Sequence, residues 1–256
     1  MNKMNKVSVL TDFYRQAWNI LEWYETLEPL KLSELAPDKE SAKKVALFSA
    51  DMIEDFCRPE GALGSPRIEA IIPNVVDVFT RLRDAGTEDF VLVEDAHTEN
   101  AKEFGSYPPH GFKDTFGAGT IREIWYLEGV SMALVQKNCL SPIFSECENA
   151  DLVKWCGTFI AYLEHLYQKG VRTMVVVGNC TDLCVRALAE SAIRMWANSG
   201  DKELRVIIPE NCVQTFDLPA DVAFGIGAKP HPGDMMHLLA LYEMSRNGID
   251  VVSEIL

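Results

Sequence analysis

Chemistry-bearing side chains in this chain recur just past short apolar runs. Asp51 follows residues 45–50, Asp95 and His97 follow 90–94, and Lys137 follows 131–136. Cys184 lies beyond 173–178, in the segment Asn179-Cys180-Thr181-Asp182-Leu183-Cys184. A thiol near the start of a helix has its thiolate favoured by the helix dipole, and a nearby ammonium lowers its pKa further. A carboxylate beside it can accept the thiol proton. Cys184, Lys137 and Asp51 together therefore form a nucleophile, a polariser and a base. Singly, each has a plainer explanation: Asp as a turn former, Lys as a solvated charge, Cys as a small buried hydrophobe. Their convergence is what points to chemistry.

Converging them requires strands whose ends share one rim. The runs 45–50, 90–94, 131–136, 173–178 and 204–209 are β-branched-rich and read as buried strands. Between them lie helical patterns over 66–85, with Pro66 at the start, 150–169 ending in Gly170, and 182–198 ending in Gly200. A last helix over 234–246 precedes a short run, 249–252, that supplies a sixth strand. Alternating strands and helices make a parallel sheet covered on both faces. The expected fold is a three-layer α/β/α arrangement around a mostly parallel sheet of five or six strands, with ligands just beyond the carboxyl ends of the strands. Residues 1–44 fall outside that rhythm and read as an N-terminal helical extension to the domain 45–256. Within it, Leu10, Phe13, Tyr14, Ala17, Trp18, Leu21 and Tyr24 predict an amphipathic helix over 11–27. The simplest role for that helix is packing on its own domain, with a dimer arm or partial lid as the alternative. The loop 95–119 is long for an α/β connection and rich in Gly, Pro, His and aromatics, which marks it as functional.

Composition narrows the partners. With 24 Lys+Arg against 38 Asp+Glu, the formal charge of −14 leaves no basic stripe for phosphates or anionic lipid heads. Nucleic acid and membrane surfaces are therefore excluded as partners. No window approaches 18 apolar residues, and the first residues carry no signal-peptide core. Seven cysteines, without a CxxC pair, read as reduced thiols of a cytoplasmic protein.

The segments Asp51 to Phe56, Gln136-Lys137 to Phe144, and Val177 to Val185 with its Gly-x-x-Thr-Asp-x-Cys-Val pattern resemble the isochorismatase-like cysteine hydrolase superfamily. The resemblance covers about residues 45 to 256. It implies Cys184 as nucleophile with Asp51 and Lys137 as partners. Asp95-x-His97, then Glu103, then Tyr107-Pro108-Pro109-His110, resembles the metal motif of nicotinamidases and pyrazinamidases, with Glu103 where many members carry His. Two imidazoles with one or two carboxylates suit zinc, manganese or iron, and zinc is favoured for a single divalent ion. Phe56 and Tyr107 match aromatic positions that flank a flat substrate. The resemblance further implies a cis peptide between Asn179 and Cys180, with the N–H groups of Cys180 and Cys184 as the oxyanion hole. His165 and His237 have no evident partners in the sequence and receive no role.

The resulting expectation is a metal-dependent amidohydrolase that releases ammonia from a small (hetero)aromatic carboxamide such as nicotinamide, through a thioester on Cys184. The rivals are a metal-free hydrolase of carbamoyl or ureido compounds, and a non-catalytic ligand-binding scaffold of the same fold. The expected partner is a small-molecule amide, and the expected assembly a homo-oligomer.

Overall fold

A computed structural model describes residues 6–147, 158–198 and 204–256 of the chain. Its centre is an eight-stranded sheet, with β1 (Val45–Ala50), β2 (Asp89–Asp95), β3 (Met132–Lys137), β4 (Glu146–Cys147), β5 (Thr173–Asn179), β6 (Arg205–Pro209), β7 (Val213–Gln214) and β8 (Asp250–Val252). The order is β4-β3-β2-β1-β5-β6-β8, and β7 pairs with the end of β5. All pairings are parallel except β3 with β4. The six strands read from the sequence are all present to within a residue or so at each end. The two additions, β4 and β7, are two residues long, too short to leave a periodic signal.

Every residue of β1 is buried, because its neighbours β2 and β5 flank it in the plane and helices cover both faces. On one face Phe48, Val176 and Val206 meet Leu163, Leu188 and Leu241, and Phe48 packs edge-on against Phe159 at 6.2 Å between ring centroids. On the other, Leu47, Leu92 and Val175 meet Val75, Phe79 and Leu82 of the helix Ile72–Ala85. Truncating a side chain as enclosed as Phe48 typically costs about 3–5 kcal/mol, so the rim rests on a stiff platform.

The helices depart from their sequence patterns where chemistry intervenes. The expected helix 66–85 is two, Pro66–Glu69 and Ile72–Ala85, because Pro73 starts a new first turn. That expected over 150–169 is described from Phe159 to Lys169 and stops at Gly170, which has φ 106°; its stretch 150–157, like Gly200, lies outside the described residues. The segment 182–198 begins as a π-helical turn, Thr181–Val185, and continues as Arg186–Asn198. The last helix is Gly233–Arg246. The N-terminal helix spans Lys6–Tyr24, earlier than the expected 11–27. Its last turn packs onto the domain, with Trp23 edge-on to Tyr242 at 5.3 Å between centroids, while Phe13, Tyr14 and Trp18 are exposed. The chain then bridges Leu30 to Ile255 at the C-terminus. No helix among the described residues is long and apolar enough to cross a membrane.

Candidate active site

The carboxyl ends of β1, β2, β3 and β5 bring Asp51, Asp95, Lys137 and the turn holding Cys184 together, all buried. Parallel register sets Asp95 beside Lys137. Asp51 turns out of β1 at φ 51°, a left-handed conformation that Asp tolerates better than most residues. Three bonds hold it there: its N–H donates to Val93 O at 2.9 Å, its carbonyl accepts from Asn179 Nδ2 at 2.6 Å, and its Oδ1 accepts from the Asp95 N–H at 2.8 Å. Gly178 is required directly opposite, because a Cβ there would meet Ala50 O at 2.1 Å. Lys137 Nζ lies 2.9 Å from Asp51 Oδ2, bonds Asp95 Oδ1, and stands 3.6 Å from Cys184 Sγ.

Burial sets the charge states. It raises the Asp51 carboxyl to about 6, with the Asp95 charge adding to the rise and Lys137 opposing it. Burial also pushes the Cys184 thiol up, and Asp51 and Asp95 add to that against the pull of Lys137. This corrects the expectation of a favoured thiolate: a helix start and one ammonium are outweighed by desolvation and two carboxylates. At neutral pH the site holds a neutral thiol hydrogen-bonded to an ionised Asp51, the arrangement for proton transfer during attack. Lys137 is penalised by burial, yet Asp51 and Asp95 hold it firmly protonated.

Beside this group a second convergence uses the loop after β2. His97 Nε2 lies 2.9 Å from Glu103 Oε1 and 3.4 Å from Asp95 Oδ2. His110 Nε2 lies 3.3 Å and 3.7 Å from the same two oxygens. Donors about 2.0–2.2 Å from a shared tetrahedral centre stand about 3.3–3.6 Å apart, close to these separations. Each imidazole is fixed through its other nitrogen: His97 Nδ1 faces Asn138 Oδ1 at 3.2 Å, and His110 Nδ1 faces Pro108 O at 2.7 Å. Two acceptors on the Nδ1 side put the ring protons there and turn both Nε2 lone pairs toward the carboxylates. His97 Nε2 and Glu103 Oε2 are buried without an aligned hydrogen bond. Four ligand atoms that would otherwise repel are what a divalent cation requires, so Asp95, His97, Glu103 and His110 fit a metal centre. Without the ion, protons take its place. Burial opposes charging the rings, but the Asp95 and Glu103 carboxylates raise His97 to about 10 and His110 to about 9, while Glu103, despite its own burial, is held at about 2 by the two rings.

The loop carrying these ligands is clamped at several points. The His97 N–H donates to Gly111 O at 2.7 Å, and the Gly111 N–H donates to Asp55 Oδ2 at 2.8 Å. Gly111 has φ 53° and passes so close to Asp95 that a Cβ would sit 3.1 Å from its Cβ. Phe56 packs against His110, 5.2 Å between centroids, at the site's edge. Tyr107 is half-buried and close enough to Asp182, Cys180 and Cys184 for their charges to raise its pKa after burial. The Asn179–Cys180 peptide is cis and begins the turn that ends at Cys184.

All ten residues singled out in the sequence thus lie in one region. Sequence reasoning missed four supporting groups: Asn138 behind His97, Asn179 under Asp51, Asp55 holding the metal loop, and His231, whose Nε2 lies 2.9 Å from Asp182 Oδ2. Asn138 and Asn179 were within reach, since each ends or follows a strand that carries a site residue. Asp55 and His231 gave no local signal. His237 does have partners, Thr181 and Glu210, contrary to the sequence reading.

With this geometry in place, comparison with known proteins is informative. A profile of the isochorismatase domain matches residues 45–228. Nicotinamidase 1 of Arabidopsis thaliana is 27% identical over 220 residues, covering 82% of this chain and 86% of that protein. Among solved structures, an isochorismatase-like hydrolase from Alkaliphilus metalliredigens superposes with a TM-score of 0.59 at 25% identity, covering 82% of this chain and 94% of the other. The pyrazinamidase of Pyrococcus horikoshii in complex with zinc shares the fold, with a TM-score of 0.57, 24% identity, and coverage of 82% and 98%. Because the domain profile spans well over half of its residues, the chain belongs to the isochorismatase domain family, and its likeness to nicotinamidases makes it a hydrolase of that family.

Proposed function

We propose that the protein is a metal-dependent cysteine amidohydrolase that releases ammonia from a small (hetero)aromatic carboxamide such as nicotinamide. The observation that carries this reading is the double role of Asp95. One of its oxygens bonds Lys137 of the thiol group, and the other faces His97 and His110 of the candidate metal centre. A nucleophile and a Lewis-acid site built on one carboxylate must serve one bound molecule. The likeness to nicotinamidases supports the choice of amide.

In this reading Cys184 Sγ attacks the carboxamide carbon as its proton passes to Asp51. The carbonyl oxygen, now negative, lies at the N–H groups of Cys180 and Cys184, and Lys137 steadies the charge passing between thiol and carboxylate. Asp51 returns the proton to the amine, the C–N bond breaks, and ammonia leaves a thioester on Cys184. Asp51 then draws a proton from water as it attacks, which frees the carboxylic acid and restores the thiol. Phe56 and Tyr107 are the aromatic walls for the flat ring. Asp95, His97, Glu103 and His110 would hold one divalent ion, zinc in our reading, which supplies Lewis acidity beside the thiol when bound.

The test is ammonia release from nicotinamide, pyrazinamide, and carbamoyl and ureido compounds, with and without a chelator. Turnover of an aromatic carboxamide that the chelator abolishes is expected. Full activity in excess chelator on a carbamoyl or ureido compound would replace this reading with a metal-free hydrolase, and no turnover with any compound would leave a ligand-binding scaffold.

A further inference from the structure

The N-terminal helix lies outside the matched domain, yet a buried chain of hydrogen bonds joins it to the turn that carries the nucleophile. Thr181 is fully buried and sits inside that turn, between Cys180 and Cys184. Its Oγ1 is 2.8 Å from His237 Nδ1, on the last long helix. His237 Nε2 is 3.3 Å from Glu210 Oε1, just past β6. The Tyr24 hydroxyl, at the end of the N-terminal helix, donates to the same Glu210 oxygen at 2.6 Å. Four residues from four separate elements therefore make one continuous line from residue 24 to the site.

The chemistry of the groups fixes every donor and acceptor in the line. Burial works against ionising Glu210, but His237 and Tyr24 lower its pKa, so it is an acceptor only. Burial and Glu210 raise the Tyr24 phenol, which stays a donor. His237 must then present N–H at Nε2 to Glu210 and a lone pair at Nδ1, and the Thr181 hydroxyl must donate outward to it. That orientation matters locally. A threonine hydroxyl within a helical turn otherwise bonds the backbone carbonyls of its own turn and bends it. Held by His237, Thr181 leaves those carbonyls to the turn itself, where Cys180 O accepts from the N–H groups of Leu183 at 3.0 Å and Val185 at 3.2 Å.

We infer that Tyr24, acting through Glu210 and His237 on Thr181, is a positioning residue that holds the Cys180–Cys184 turn in its reactive geometry. The N-terminal extension is in this view a working part of the site. Removing the Tyr24 hydroxyl leaves Glu210 with one donor fewer, frees the imidazole to shift, and lets Thr181 turn back on its own carbonyls. Cys184 Sγ, at 3.6 Å from Lys137, then drifts from the ammonium that favours its thiolate.

A double-mutant cycle of Tyr24→Phe against Thr181→Val tests this, with Thr181→Ser as the conservative control that keeps the hydroxyl. The primary readout is the rate of Cys184 alkylation by iodoacetamide, followed on its peptide by mass spectrometry, which needs no knowledge of the substrate. Tyr24→Phe is expected to slow it roughly 3- to 10-fold, the span of a typical pairwise coupling. The effect should vanish in the Thr181→Val background and persist in Thr181→Ser. The second readout rests on the amidase reading: kcat on nicotinamide should fall similarly with KM unchanged. Additive effects, or normal alkylation in Tyr24→Phe, would overturn the inference. If Thr181→Val does not fold, a cycle of Tyr24→Phe against Glu210→Gln decides by the same non-additivity. If the wild type turns over no amide, the proposed function fails, while the alkylation cycle still supports or overturns the role of Tyr24.

Discussion

Glu94 should make the folded protein lose stability as pH rises through neutrality. This carboxyl precedes Asp95 on β2 and is 3% exposed. Its one hydrogen bond is from Thr120 Oγ1 at 2.7 Å, while Ser49 Oγ and Gln136 Oε1 on the flanking strands are buried without hydrogen-bond partners. Burial therefore raises it from an ordinary 4.5 to about 8, although Thr120 pulls the other way. The folded state keeps a proton that the unfolded chain has released between those two values. In that window the native state binds more protons, so stability falls with rising pH, and the loss is complete once pH exceeds the folded value. From about pH 5.5 to about pH 8 the group spans about 2.5 pH units, worth about 3 kcal/mol at 1.36 kcal/mol per unit. Glu94→Gln retains the acceptor for Thr120 and never ionises, so this component should be missing from the variant. Urea unfolding of both proteins across that range gives the two slopes directly, the other titrating groups being common to both. Parallel stability profiles for wild type and Glu94→Gln would refute the argument that burial keeps this group neutral.

Cys184→Ala should abolish amide turnover and leave the melting temperature within a few degrees, because a small side chain at this turn costs little while the proposed nucleophile is lost; Asp51→Asn should lose orders of magnitude as well. More than about a tenth of wild-type activity in either variant would remove it from the proposed mechanism. Asn138→Ala should weaken metal affinity about 10- to 100-fold in a competitive chelator titration, since it frees the Nδ1 side of the His97 ring. Metal binding at neutral pH should release about two protons per ion, read from the buffer dependence of calorimetric enthalpies, because His97 and His110 stay protonated up to about 10 and about 9 without the ion. Affinity accordingly falls as pH falls, by about tenfold per proton per pH unit; pH-independent binding would show that those rings are not ligands.

Much of this site was legible without coordinates because each group is local to a strand end. An all-apolar run such as 45–50 announces a strand buried on both faces, and the residue after it must stand at the rim, so Asp51, Asp95, Lys137 and Cys184 could be placed from spacing alone. The Gly-x-x-Thr-Asp-x-Cys-Val segment tied that rim to a family, and the family pointed to a metal loop. What residue order cannot carry is the environment of those groups. The thiol reads as activated on a one-dimensional account of helix start and ammonium, and only packing supplies the desolvation and the second carboxylate that keep it neutral beside an ionised Asp51. Likewise the partners of His237 stand 56 and 27 residues away in sequence, and Tyr24 meets Glu210 across 186. Periodicity and turn chemistry act over a few residues, so residue order was enough to say which strands form and which groups their ends present. Protonation states, the metal geometry and the tie to the N-terminal helix rest instead on burial and hydrogen bonding, whose distances exist only once the sheet has closed.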